Sequence, residues 1–209
     1  MIPPISLNHD RFERVCYDRP EYPIYIRRGL LSLYPDYRAP DHWHDDIELI
    51  LILQGQMEYN VNGQITLLKK GEGIFVNSGQ MHFGFSGDHC ECDFLCILFH
   101  PILLCSIPPF ENDFVHPLIQ NKSLPYLILR PGISWQAQIL SLIQQIYTER
   151  DLPGGSMRAF GSFARIWALL WENAPDGPSD ENRQSQNLAI IKKMVEFIQE
   201  NYTQKISDR

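Results

Sequence analysis

Along the first 130 positions apolar residues recur in short runs separated by glycine-containing breaks. Tyr22–Tyr34 is rich in Ile, Leu and Tyr, and Ile47–Leu53 is a continuous apolar run interrupted only by Glu48. Met57–Val61 and Gln64–Lys69 flank Asn62-Gly63, the strongest short hairpin signal in the chain. Gly73–Asn77, Met81–Phe85 and Glu91–Phe99 follow, parted by Ser78-Gly79 and Ser86-Gly87-Asp88. Pro108, Pro109 and Pro117 then break the pattern, and Pro125–Arg130 adds a last strand. Short strands at this spacing predict a closed antiparallel barrel or jelly roll over residues 1–130.

The period then lengthens to that of a helix. Trp135, Ile139, Leu142, Ile143 and Ile146 share one helical face, with Ser134 placed to cap it and Pro153-Gly154-Gly155 to end it. Phe160, Phe163, Ala164, Trp167, Leu170 and Trp171 repeat the spacing, so residues 131–173 read as a helical hairpin. Residues 174–187 are Pro-, Gly- and Asp-rich at their start and polar throughout, the composition of a linker. Over 188–209, Leu188, Ile191, Val195, Ile198 and Tyr202 make a final amphipathic helix. Such a helix cannot bury its stripe alone. It therefore opens a second domain that the chain lacks, or docks on the barrel or a partner. The fold class is α+β.

Charge and motifs narrow the chemistry. With 18 Lys and Arg against 25 Asp and Glu, the formal charge of −7 argues against a basic nucleic-acid binder. The N-terminus has no apolar core or cleavage site of a signal peptide, and no apolar run approaches the ~20 residues of a membrane helix. A cytoplasmic protein without a membrane partner is expected. Cys16, Cys90, Cys92, Cys96 and Cys105 then read as free buried thiols, and Cys90-x-Cys92 lacks the second pair that a zinc site needs. No nucleophile elbow or phosphate-binding glycine loop is present.

The informative stretch is Pro40–Glu48. His42, His44 and Glu48 are separated by even steps, so on a strand they face the same side, and Ile50, Ile52 and Gln54 continue that face. His82 begins another short strand. Imidazole nitrogens and a carboxylate are good ligands for divalent transition metals. The alternative is that His42 and His44 merely hydrogen-bond at a barrel mouth while Glu48 satisfies backbone or Arg groups. Cys92, Phe94, Cys96 and Leu98 share one face of their strand; Phe94 and Cys96 would line a cavity with Gln54 and His82, or be plain core. Arg27, Arg28 and Arg38 are read mainly as solvated surface, with an anionic ligand as the rival reading.

His42-x-His44-x3-Glu48-x6-Gly55 resembles the first motif of the cupin superfamily, with Asp36 where that motif has a glycine. Gly71-x5-Asn77-x-Gly79-x2-His82-x3-Ser86 resembles the second, with Asn77 in place of a proline and Ser86 in place of an asparagine. The resemblance implies a cupin-like barrel whose metal ligands are His42, His44, Glu48 and His82, for a divalent Zn, Ni, Fe or Mn. The stretch from His42 to Phe85 also resembles the sensor domain of AraC-type transcriptional regulators, and residues 190–207 resemble the first helix of their DNA-binding domain. That likeness implies a small-molecule effector, a homodimer formed through the hairpin with Trp135, Trp167 and Trp171, and DNA contacts lying beyond this chain. Such sensors often keep His-x-His where no metal is used. A metal-dependent cupin enzyme (a dioxygenase or isomerase) or a stand-alone ligand-binding cupin is the alternative.

Overall fold

A computed structural model describes residues 5–19, 21–105 and 107–174. Its sheet is antiparallel throughout, with seven strands: β1 (Ile24–Leu30), β2 (Ile47–Val61), β3 (Gln64–Lys69), β4 (Gly73–Val76), β5 (His82–Phe85), β6 (Cys92–Phe99) and β7 (Tyr126–Leu129). Helical turns at Pro108–Phe110, Glu111–Val115 and His116–Ile119 precede β7, and two long helices close the described chain: α1 (Ser134–Glu149) and α2 (Gly155–Asn173). The linker and C-terminal helix expected over 174–209 lie outside the described residues, except Ala174. Among the described residues no helix is long and apolar enough to cross a membrane.

The runs Ile47–Leu53 and Met57–Val61 are one strand, not two. The first half of β2 pairs β4 and β6, completing the order β1-β6-β2-β4-β7. The second half pairs β3 and β5. β2 thus belongs to both walls, and it changes wall at a bulge between Ile52 and Gln54. Such an insertion flips the alternation of side chains. Glu48, Ile50 and Ile52 face inward before it, and Met57, Tyr59 and Val61 after it. Gly55 follows at φ 76°, and a Cβ there would lie 2.2 Å from the Glu91 carbonyl oxygen. Only glycine fits that approach.

Two apolar clusters result. The barrel interior holds Ile50, Ile52, Met57, Val61, Leu68, Ile74 and Phe94. The opposite face of the larger wall, with Ile47, Leu49, Leu51, Phe75, Ile97 and Phe99, packs on α1 and α2 through Ile139, Ile143, Phe163, Ile166 and Leu170. Phe99 stacks on Phe163 with centroids 4.3 Å apart. The hairpin stripe is therefore spent inside the chain. Trp167 is 4% exposed and its Nε1–H donates to the Phe114 carbonyl at 3.0 Å, so it is core and not an interface residue. Trp135 is half-buried against the same core, while Trp171 is 41% exposed. Ser134 is the first helical residue rather than the cap; Ile133 holds the cap position, and no side chain caps the helix.

The departures from the cupin pattern have local reasons. Asp36 takes φ 52°, ψ 30°, the left-handed region a glycine would occupy and a short polar side chain tolerates. Buried Asn77 donates from Nδ2 to the carbonyls of Leu118 and Leu124, both at 3.0 Å, and accepts from Ser78 N–H. It ties the helical turns and β7 to the end of β4, which a proline could not do. Ser86 is buried, and its Oγ accepts from Cys90 N–H.

Candidate metal centre

The segment entering β2 is held against β5 by a reciprocal backbone pair: His42 N–H donates to His82 O at 3.2 Å, and His82 N–H to His42 O at 2.9 Å. Gly79 N–H donates to His44 O at 2.8 Å. These bonds bring His42, His44 and His82 beside Glu48 on the inward face of β2. One donor atom from each of the four lies within 4.8 Å of the others, and all four residues are buried. The four positions singled out from spacing thus converge.

Each imidazole is oriented by its own backbone neighbourhood. Nδ1 of His42 lies 2.9 Å from Pro40 O, that of His44 3.1 Å from Asp46 O, and that of His82 2.8 Å from Gln80 O. A carbonyl can only accept, so each Nδ1 carries a proton, and in the neutral ring Nε2 offers its lone pair to the cluster. Glu48 Oε2 lies 3.2 Å from His82 Nε2 and 3.4 Å from His44 Nε2, while Oε1 accepts from the Tyr59 hydroxyl. His44 Nε2 lies at ion-pair distance from the carboxylate but lacks the geometry of a hydrogen bond, and it is buried without another partner. Without a cation, lone pairs face a carboxylate, and protons must be shared among them. Three inward nitrogens, the orphaned His44 Nε2 among them, and one carboxylate fit a divalent metal.

The titration behaviour follows from this crowding. Burial alone would raise the Glu48 carboxyl, but His82 and His44 outweigh it and hold it well below its usual range. Burial lowers His44 as well, yet Glu48 pulls it above its ordinary value. His42 is pushed down to about 3 by burial and then by neighbouring His82. Burial and Glu48 together push the Tyr59 hydroxyl up.

A cavity of about 80 Å³ opens beside the cluster, its wall including Glu13, His42, Glu48, Tyr59, Phe94 and Cys96. Phe94 and Cys96 take the lining positions expected of them. His82 joins the cluster but is not part of the cavity wall. Gln54 is displaced: the bulge turns it outward, where it is exposed and accepts from Lys70 Nζ at 3.1 Å. Tyr59 and Glu13 were not anticipated. The glycine inside an otherwise apolar run was the available signal that inward parity changes before Tyr59. Glu13 comes from an N-terminal segment without periodicity. That segment lies along the histidine segment that leads into β2: Glu13 N–H donates to Trp43 O at 2.8 Å, Trp43 N–H to Arg11 O at 3.2 Å, and the Phe12 and Trp43 rings meet edge-on at 4.8 Å. Burial, with Glu48 and Asp46 nearby, lifts the Glu13 carboxyl to about 7 against the opposing pull of His44.

The three arginines weighed as anion ligands are paired within the chain: Arg27 with Asp18, Arg28 with Asp93, and Arg38 with Asp41. All five cysteines are free, but Cys16 and Cys90 are exposed rather than buried.

The chain is 28% identical over 190 residues to YdeC of Bacillus subtilis (strain 168), an HTH-type transcriptional regulator; the match spans 90% of this chain and 64% of that protein. Among solved structures, a Cupin 2 conserved barrel domain protein from Salinispora arenicola matches 41% of this chain and 71% of its own, at 13% identity and a TM-score of 0.34. The plu4264 protein of Photorhabdus luminescens matches 46% of this chain and 79% of its own, at 16% identity and a TM-score of 0.34. Residues 28–159, from the middle of β1 into α2, match the AraC-like ligand binding domain, and the chain belongs to that family.

Proposed function

We propose that this chain is the effector-sensing and dimerisation region of a cytoplasmic AraC-type transcription regulator, whose DNA contacts are made by a domain opening in residues 188–209. The observation that carries the reading is a cavity walled by His42, Glu48 and Tyr59 within a ligand-binding family domain. His42, His44, Glu48 and His82 would hold a divalent metal there, which supplies a Lewis-acidic anchor for an oxygen or nitrogen of the effector. Phe94 and Cys96 give the apolar wall against which the rest of the effector packs. At about 80 Å³ the cavity is far below the ~300–1,000 Å³ of drug-sized ligand sites. The effector is therefore a small molecule of few non-hydrogen atoms, with one polar group for the metal. Control is by linkage: an effector that prefers one arrangement of barrel and hairpin changes how the DNA-binding domains are presented.

The test is thermal unfolding of the chelator-stripped chain with Zn(II), Ni(II), Fe(II) or Mn(II), then with small acids, amines and polyols. The expected result is a Tm raised by one metal and raised further by an effector only when that metal is present, with duplex DNA left unbound. Catalytic turnover of the effector, or salt-dependent nanomolar binding of the isolated chain to duplex DNA, overturns the reading.

The homodimer would form on the outer side of the hairpin, where Trp171 meets Phe114 edge-on at 5.4 Å beside exposed Phe110. Trp171→Ser is expected to shift sedimentation toward monomer with an unchanged unfolding midpoint. Trp167→Ala, which removes a core ring, instead costs about 3–5 kcal/mol of stability.

A further inference from the structure

The four-residue cluster is one carboxylate short of neutralising a divalent cation. Three neutral imidazoles and Glu48 give the shell a single negative charge, and a residual charge in a buried site is costly. A second carboxylate is at hand. Glu13 Oε2 lies 3.3 Å from His42 Nε2, and the Glu13 side chain is 13% exposed. His42 Nδ1 is committed to Pro40 O at 2.9 Å, so the nitrogen facing Glu13 is the one bearing the lone pair. Two acceptors face each other there, an arrangement that only a proton or a cation between or beside them makes favourable. No Arg or Lys forms an ion pair with Glu13 among the described residues.

The geometry points to Glu13 as a fifth donor to the metal, supplied by the N-terminal segment, so that metal binding and docking of that segment over the cavity are one linked equilibrium. This inference rests on the metal reading above. Residues 11–13 are fastened to the histidine segment by the Glu13–Trp43 and Trp43–Arg11 backbone bonds, the Phe12–Trp43 ring contact and the Arg11–Asp41 pair at 2.8 Å. A cation drawing in the Glu13 carboxylate therefore tightens the same backbone bonds. Linkage is reciprocal: the factor by which docking strengthens metal binding is the factor by which metal strengthens docking.

Two readouts on the 209-residue chain test this: Co(II) affinity by calorimetry, and hydrogen exchange at the Glu13 and Trp43 amides with and without Co(II). Glu13→Gln is expected to weaken Co(II) binding by roughly 10–100-fold, the range for groups that support a metal site. In the wild type, Co(II) should slow exchange at those two amides by a similar factor, and in Glu13→Gln it should not. Glu13→Ala, which removes the amide oxygen that glutamine could still offer, should weaken binding at least as much. His82→Gln, folded by circular dichroism, reports on the cluster itself. If it loses Co(II) while both Glu13 variants keep wild-type affinity and protection, the Glu13 inference falls and the metal reading stands. If the wild type binds Co(II) no better than His82→Gln, both fall.

Discussion

Alanine in place of His82 is expected to cost the metal-free protein roughly 3–5 kcal/mol, the usual penalty for leaving a buried charge without its partner. The charge is that of Glu48, whose Oε2 is 3.2 Å from His82 Nε2. His44 at 3.4 Å and the Tyr59 hydroxyl at Oε1 would be its remaining partners. The substitution also opens a cavity at a side chain only 1% exposed, which adds to the loss. Urea unfolding in chelator, followed through the buried Trp167, gives the first number. The same titration in excess metal gives a larger one, because the wild type alone gains RT ln(1 + [M]/Kd).

The pH dependence of that gap has a definite sign. Glu48 is held well below its ordinary value of 4.5 in the folded state, His82 being the strongest of the influences that lower it. A depressed carboxyl contributes stability that is present above its unfolded value and is lost as the pH falls through the folded one. The difference between wild type and His82→Ala should therefore be full near neutrality and shrink on acidification below about 4.5. A gap that persists unchanged in acid would mean that packing, not the carboxylate, accounts for it.

What could be read from the chain alone follows from how far each signal reaches. Strand runs, the Asn62-Gly63 turn and the helical hairpin are local patterns, and all are present, although Ile47–Leu53 and Met57–Val61 merge into the single strand β2 and the Tyr22–Tyr34 run is a strand only over Ile24–Leu30. His42, His44 and Glu48 were picked out by even spacing, although a bend at Asp45 and Asp46 separates the histidines from β2, and it is the backbone bonds to His82 and Gly79 that bring them beside Glu48. Gln54 was misplaced because the same rule was carried through the bulge at Ile52/Gln54, where parity reverses. Tyr59 lay hidden behind that reversal. Glu13 was invisible for another reason: it reaches His42 across 29 positions through a segment held by backbone bonds rather than by periodic apolar side chains. The aromatic stripe of the second helix was identified correctly, but whether it faces a partner or its own sheet depends on how much sheet is left uncovered. The outer face of the five-strand wall takes Phe163, Ile166 and Leu170, leaving Trp171 outside.

Gly55→Ala is expected to act at long range, lowering stability by roughly 3 kcal/mol or more and weakening metal binding although no donor is changed. A non-glycine residue in the left-handed region costs on the order of 1–3 kcal/mol by itself. Here the added Cβ also meets the Glu91 carbonyl oxygen at 2.2 Å and its carbon at 3.3 Å, contacts with backbone that cannot rotate away. Relief requires β2 to move off β6 at the Gly55–Cys92 pair, next to the bulge that sets which residues of the second half face inward. A shift there draws Tyr59 away from Glu48 Oε1, removing the hydroxyl that orients the carboxylate toward the imidazoles. Gly63→Ala is the control, for Gly63 also has positive φ, at 85°, but a Cβ there meets nothing within 4 Å. It should cost only about 1–2 kcal/mol, the price of the left-handed backbone, and leave metal affinity unchanged. Calorimetric Zn(II) titration of the two variants separates the cases: weaker binding in Gly55→Ala alone ties the bulge to the geometry of the site, whereas equal affinity in both would show that the cluster holds its shape independently of how β2 changes wall.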